Sequence, residues 1–100
     1  MRWKIRFVLK MSLPPSDTPL YNHPLPDIED WLRSKGCEQD ESDLHCWHLR
    51  NSTWEADLWL DVDSLTVRYV AAGEGGRDIQ RSFKYSLSRK DLDEVVFSGP

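Results

Sequence analysis

The stretch WEADLWLDVDSLTVRYV, residues 54–70, decides the fold. Its apolar and polar residues alternate: Trp54, Ala56, Leu58, Leu60 and Val62 fall on one side, and Glu55, Asp57, Trp59 and Asp61 on the other. Successive strand side chains point to opposite faces, so this is the pattern of a strand with one dry face and one wet face. Asp63-Ser64 has turn chemistry, because short polar side chains bond their own backbone. Alternation resumes with Leu65, Val67 and Tyr69 against Thr66, Arg68 and Val70. A lone hairpin is at best marginally stable, so the rest of the chain must cover its dry side.

Working outward, Leu44 to Arg50 reads as a preceding strand with an ambiguous facing, since Leu44 and Cys46 compete with Trp47 and Leu49 for the core. Ile79 to Tyr85 reads as a following strand, with Ile79, Phe83 and Tyr85 on its dry face and Arg81 interrupting that face. Between them, Ala71 to Gly76 is a glycine-rich loop, without the lysine and strand-to-helix setting of a phosphate loop. A helix from Pro26 to Lys35 is predicted by an Ile28 and Leu32 stripe, acidic residues in its first turn, and Gly36 placed to stop it. Leu25 begins that stripe and Trp31 flanks it. A second helix, about Arg89 to Phe97, has Ser88 as its N-cap and a stripe of Leu92, Val95 and Val96. The expected class is α+β: helix, four-stranded antiparallel meander, C-terminal helix (α-β-β-β-β-α), with the helices packed on one face of the sheet.

One hundred residues make one domain. Residues 26–100 form it, and 11–25 are an extended arm rich in proline. Leu20, Tyr21 and Leu25 are candidates to pin the arm to the body, and a docking segment for a partner groove is the sharper reading. Residues 1–10 are a basic extension in which Trp3, Ile5, Phe7 and Leu9 alternate with Arg2, Lys4 and Arg6. It lacks the apolar core and cleavage site of a signal peptide. Three readings fit it: an edge strand, a membrane-surface arm, or a non-native segment from an upstream start codon, with Met11 the usual first residue.

Charge sharpens that division. The formal net charge is -4, but the first ten residues hold four bases and no acid. The remainder carries 9 bases and 17 acids, and so acidic a body repels phosphate backbones at long range. Two cysteines are too few for a disulfide scaffold and suit a reducing compartment. No apolar run approaches the roughly 20 residues of a membrane helix.

Chemistry-bearing groups are sparse. Cys37, His45, Cys46 and His48 suggest zinc, but the spacing lacks a C-x₂-C half-site, and His45 and Cys46 face opposite ways if they lie in a strand. A Cys37–Cys46 disulfide is open if the helix end meets the strand. Asp57 and Asp61 share a strand face, where pairing with Arg68 across the sheet is the commoner outcome than acid–base work. No serine has a visible base and orienter, so no catalytic residue, cofactor or metal is assigned and no enzymatic activity is expected. Two features remain as candidate binding sites. Trp59 stands among carboxylates on the wet face, either as a partner surface or covered by the arm. Arg77, Arg81, Lys84, Arg89 and Lys90 form the one basic stretch of the body, suited to a phosphate, an RNA backbone or an acidic protein.

The segments TPLYNHPLP (18–26), WLRSKGCEQD (31–40), LHCW (44–47), WEADLWLDVDSLTVRY (54–69) and GRDIQRSFKYSLSRKDLDEVVFSGP (76–100) resemble a family of short uncharacterised cyanobacterial and plastid proteins, domain of unknown function 3143. The resemblance covers nearly everything after Met11. It implies a cytoplasmic setting in cyanobacteria or the stroma in plastid relatives, and carries no activity and no functional residues. The resulting expectation is an intracellular protein-interaction or assembly module with an unidentified protein partner, supporting photosynthetic machinery. The alternative is an RNA-binding module, because a helix, a strand meander and a helix with a basic start resemble a double-stranded-RNA-binding arrangement.

Overall fold

The computed structural model describes residues 13–100. The basic extension at residues 1–10 lies outside them. The elements are α1 (Leu25–Ser34), β1 (Glu38–Gln39), β2 (Cys46–Arg50), β3 (Glu55–Leu60), β4 (Ser64–Tyr69), β5 (Ile79–Lys84) and α2 (Arg89–Val95), with short 3-10 turns at Leu20–Asn22 and Glu74–Gly76. The strands form one antiparallel sheet in the order β1-β2-β3-β4-β5. The fold is α+β, with five strands where four were expected. The extra strand lies in the acidic connection after α1, where two residues pair as Glu38↔His48 and Gln39↔Trp47. Two residues are too few to carry a periodicity, and local chain reversals place them. Gly36, at φ +94°, turns the chain after α1 while the Gly36 and Cys37 N–H groups bond Arg33 and Leu32 carbonyls. The Asp40 carboxylate then accepts the Ser42 and Asp43 N–H groups.

Ala56, Leu58 and Leu60 of β3 and Leu65, Val67 and Tyr69 of β4 are buried on the dry face. The facing of β2 resolves the same way, with Trp47 and Leu49 in the core and Leu44 exposed. The buried residues of α1 (Ile28, Trp31, Leu32) and α2 (Leu92), with Val96 just beyond it, join that face in one cluster. The helices also meet each other: Trp31 packs edge-on to Phe97, and the Lys35 amine lies 2.6 Å from the Asp93 carboxylate. The buried Tyr69 hydroxyl donates to the Val96 carbonyl at 2.7 Å, tying sheet to helix. Ser88 caps α2 in a reciprocal pair with Asp91.

Three expected core residues lie outside. The alternation of β3 ends at Leu60, and Asp61 to Asp63 form the turn, leaving Val62 94% exposed. The turn closes with the Asp61 N–H on the Ser64 carbonyl, so Asp63-Ser64 is its end rather than its whole. Leu25 is 50% exposed because it begins α1, a turn away from the core face, and Val95 is exposed beside the buried Val96.

The arm is strapped to the body. Pro19 and Ser88 form a bridge, the Leu20 and Tyr21 N–H groups donate to the Leu87 and Tyr85 carbonyls, and Leu20 is fully buried. Among the described residues, no helix is long and apolar enough to cross a membrane.

Candidate functional site

Two surfaces of the molecule hold its unusual side chains. The first is the open face of the sheet, where a chain of charges crosses the strands. His48 of β2 donates from Nε2 to Asp40 (2.8 Å) and from Nδ1 to Asp57 of β3 (2.7 Å). The other Asp57 oxygen accepts from Arg68 of β4 at 2.6 Å, and the Arg68 Nε lies 3.8 Å from Asp78. Register dictates the contacts, because Asp57 stands opposite both His48 and Arg68. Carboxylates on both nitrogens favour the doubly protonated ring, and those bonds, to Asp40 first and then Asp57, raise the His48 pKa. Burial of Asp57 favours its neutral form, but the Arg68 and His48 hydrogen bonds outweigh this and hold its pKa below the ordinary value. The hydrogen bond from His48, then those from Asp43 and Ser42, do the same for Asp40.

This arrangement uses its groups up. While His48 is protonated, both ring nitrogens donate and neither has a lone pair with which to take a proton. Cys46, on the same face, is buried, and desolvation followed by the nearby carboxylates pushes its thiol up to about 11. Cys37 is likewise pushed up to about 11 by burial. Both thiols are free, and the register that pairs Glu38 with His48 sets Cys37 level with the core-facing Leu49, while Cys46 faces the open side. Register therefore sets the two thiols on opposite faces of the sheet, while Cys46 and His48 share the open one.

Trp59 lies on this open face, partly buried, with the Arg68 guanidinium 5.0 Å from its ring centroid. Among the described residues the arm follows Tyr85 to Lys90 instead of crossing Trp59. The basic stretch is dispersed. Arg81, opposite Val67, stands on the helix side with its guanidinium 5.6 Å from the Tyr69 ring, whereas Lys84, opposite Ser64, is on the open face. Arg77 follows the Glu74–Gly76 turn. The Arg89 guanidinium bonds the Pro14 carbonyl, and the Lys90 N–H bonds that of Ser16, so both hold the arm.

The second surface is an apolar groove of about 290 Å³ between the arm, the start of α1 and the β3–β4 turn. Leu20, Ile28, Leu60 and Tyr85 line it, and Tyr21 (65% exposed), Leu25 and Val62 project beside it. His23, 8% exposed, also lines it; its Nδ1 donates to the Pro19 carbonyl at 3.1 Å. A smaller hollow on the other side of the turn, lined by Asp43, His45, Trp59 and Val62, extends this surface to the open face. Asp43 and Asp61 line it and Asp63 stands in the same turn, and among the described residues none of the three has an ion-pair partner. The Tyr85 hydroxyl donates to the Asp61 carbonyl at 2.6 Å, and burial, then the Asp61 and Asp63 charges, push its phenol up to about 12. The groove therefore combines exposed apolar side chains with a negative edge.

Sequence reasoning missed Tyr21, Leu25 and Val62 as a surface because Leu25 and Val62 were counted towards the core and Tyr21 as a pin for the arm. The available signal was Val62 between Asp61 and Asp63, an apolar residue inside turn chemistry.

A family model described as Protein of unknown function (DUF3143) matches residues 35–99. No curated protein matches the chain, and no solved structure does.

Proposed function

We propose that this chain, which belongs to the Protein of unknown function (DUF3143) family, is a protein-interaction module that docks a partner in the groove beside the β3–β4 turn. The observation that carries this reading is the grouping of Tyr21, Leu25 and Val62, all more than half or half exposed, around one apolar groove. Exposed apolar side chains occurring singly are ordinary, but a contiguous group with a polar edge is characteristic of a contact surface. The carboxylates of Asp43, Asp61 and Asp63 favour a protein segment with apolar side chains flanked by lysine or arginine.

The test is affinity capture from the native organism with wild type, Val62→Asp and Arg81→Glu. Val62→Asp should lose the partners while its folding stability stays within about 0.5 kcal/mol, since the site is exposed. Arg81→Glu should keep them. Partners retained by Val62→Asp at wild-type levels would remove the groove as the interface. RNA binding has less support, because Arg81 and Lys84 stand on opposite faces of β5 and the Arg89 guanidinium is engaged by the Pro14 carbonyl. An RNA titration at two salt concentrations checks it: contact with many phosphates weakens steeply as salt rises.

A further inference from the structure

We propose that the outer edge of β5 takes up an extended acidic segment of another protein as an added antiparallel strand. This surface is separate from the groove, which has no lining residue in β5.

The ladder fixes which backbone groups of β5 are spare. The Val70 N–H bonds the Glu55 carbonyl, and the Asp61 N–H bonds that of Ser64. Bonded pairs alternate along an antiparallel ladder, so Thr66 and Arg68 also turn their backbone groups to β3. Leu65, Val67 and Tyr69 then turn theirs to β5, where their partners are Phe83, Arg81 and Ile79. Gln80, Ser82 and Lys84 therefore aim N–H and C=O away from the sheet. The Leu87 N–H takes the Lys84 carbonyl. Among the described residues nothing bonds the N–H and C=O of Gln80 and Ser82 or the N–H of Lys84, because the arm bonds Tyr85, Leu87, Arg89 and Lys90, past the end of the strand. A row of unpaired backbone groups is a template for another strand. The opposite edge is a poor one: β1 has two residues and is followed by Asp40 and Glu41. β5 has six, contains no proline, and exposes Gln80, Arg81 and Ser82.

Charge selects the occupant. Arg81 stands on the helix side between the half-buried Ile79 and Phe83, and Lys84 stands on the open side. Among the described residues neither has an ion-pair partner. An added strand sends alternate side chains to the two faces, so it would meet a cation on each. The division that spoils a phosphate-binding patch therefore suits an acidic strand, with carboxylates opposite Arg81 and Lys84 and apolar residues opposite Ile79 and Phe83. A second copy is disfavoured: two β5 strands paired antiparallel about Arg81 would set one guanidinium against the other.

The test uses the full chain and a capped synthetic peptide, Glu-Val-Thr-Glu-Thr-Val, which places its glutamates opposite Lys84 and Arg81. The backbone amides of Gln80, Ser82 and Lys84 should exchange with solvent rapidly in the free protein and slow by about tenfold or more when excess peptide is present. A peptide with every backbone nitrogen methylated keeps the charge but cannot donate to the ladder, and it should give no slowing. A peptide with lysine for glutamate should also give none on wild type, but should bind the double variant Arg81→Glu, Lys84→Glu in preference to the acidic peptide. The acidic peptide should lose about tenfold or more in affinity for that variant. No slowing with the acidic peptide, or equal binding of the methylated peptide, would overturn the proposal. Slow exchange of these three amides in the free protein would overturn it too, in favour of a second copy where the protection rises with protein concentration and of the chain itself where it does not. The peptide comparison on wild type decides the matter should the variant not fold.

Discussion

His48 is held by carboxylates on both ring nitrogens, which makes its charge part of the fold. Its pKa is raised above the ordinary 6.5, so its contribution to stability is complete below pH 6.5 and is lost as pH rises through the higher folded value. Asp40 and Asp57 have pKa values lowered from 3.8, so their contribution is present above that pH and is lost as pH falls through the folded values. Denaturant unfolding between pH 5 and 9 should therefore show stability declining on the alkaline side, and His48→Ala should flatten that decline. A His48 ring proton that titrates in the native protein at or below 6.5 would contradict the arrangement. The contact itself was half legible: Asp57 facing Arg68 follows from the hairpin alternation, but His48 required the register of β2 and the position of Asp40, which lies beyond a two-residue strand.

At the scale of elements, local chemistry explains most boundaries. Ser88 begins α2 because its hydroxyl accepts the Asp91 N–H while the Asp91 carboxylate accepts the Ser88 N–H. Ser88→Ala should cost about 1 kcal/mol in a denaturant titration. Gly36 ends α1 at a positive φ, with the Leu49 side chain 3.5 Å from where a Cβ would stand. Gly36→Val should therefore cost about 1–3 kcal/mol, chiefly from backbone strain, and a β-branched residue tolerated there at full stability would refute that reason. Where the elements differ from expectation, the cause is geometric. Apolar character continues through Val62, but pairing with β4 stops at Leu60↔Leu65, and a residue beyond the last pair has no sheet beneath which to bury. β1 escaped notice because its two residues pair through the backbone and need no apolar pattern.

The described residues pack around one cluster, in which the dry face of β2, β3 and β4 is covered by Ile28, Trp31 and Leu32 from the first helix and Leu92 from the second. Leu58 is completely buried in it. Leu58→Ala should destabilise by about 2–5 kcal/mol, seen as one cooperative shift of the thermal transition by both far- and near-ultraviolet circular dichroism. Transitions that separate in the two signals would mean that sheet and helices do not share a core. The sequence by itself determined the α+β class, both helices and the central hairpin, because periodicity and capping are local properties that neighbouring residues impose on one another. It also determined which face of β3 and β4 is dry. Only the tertiary structure decided that Tyr21, Leu25 and Val62 meet around a groove, that the basic residues of 77–90 part company, and that Arg89 and Lys90 hold the arm. Those outcomes depend on where the arm lies along the connection from β5 to α2 and where strand pairing stops. Contacts between segments distant in the chain set both, and no local pattern encodes them.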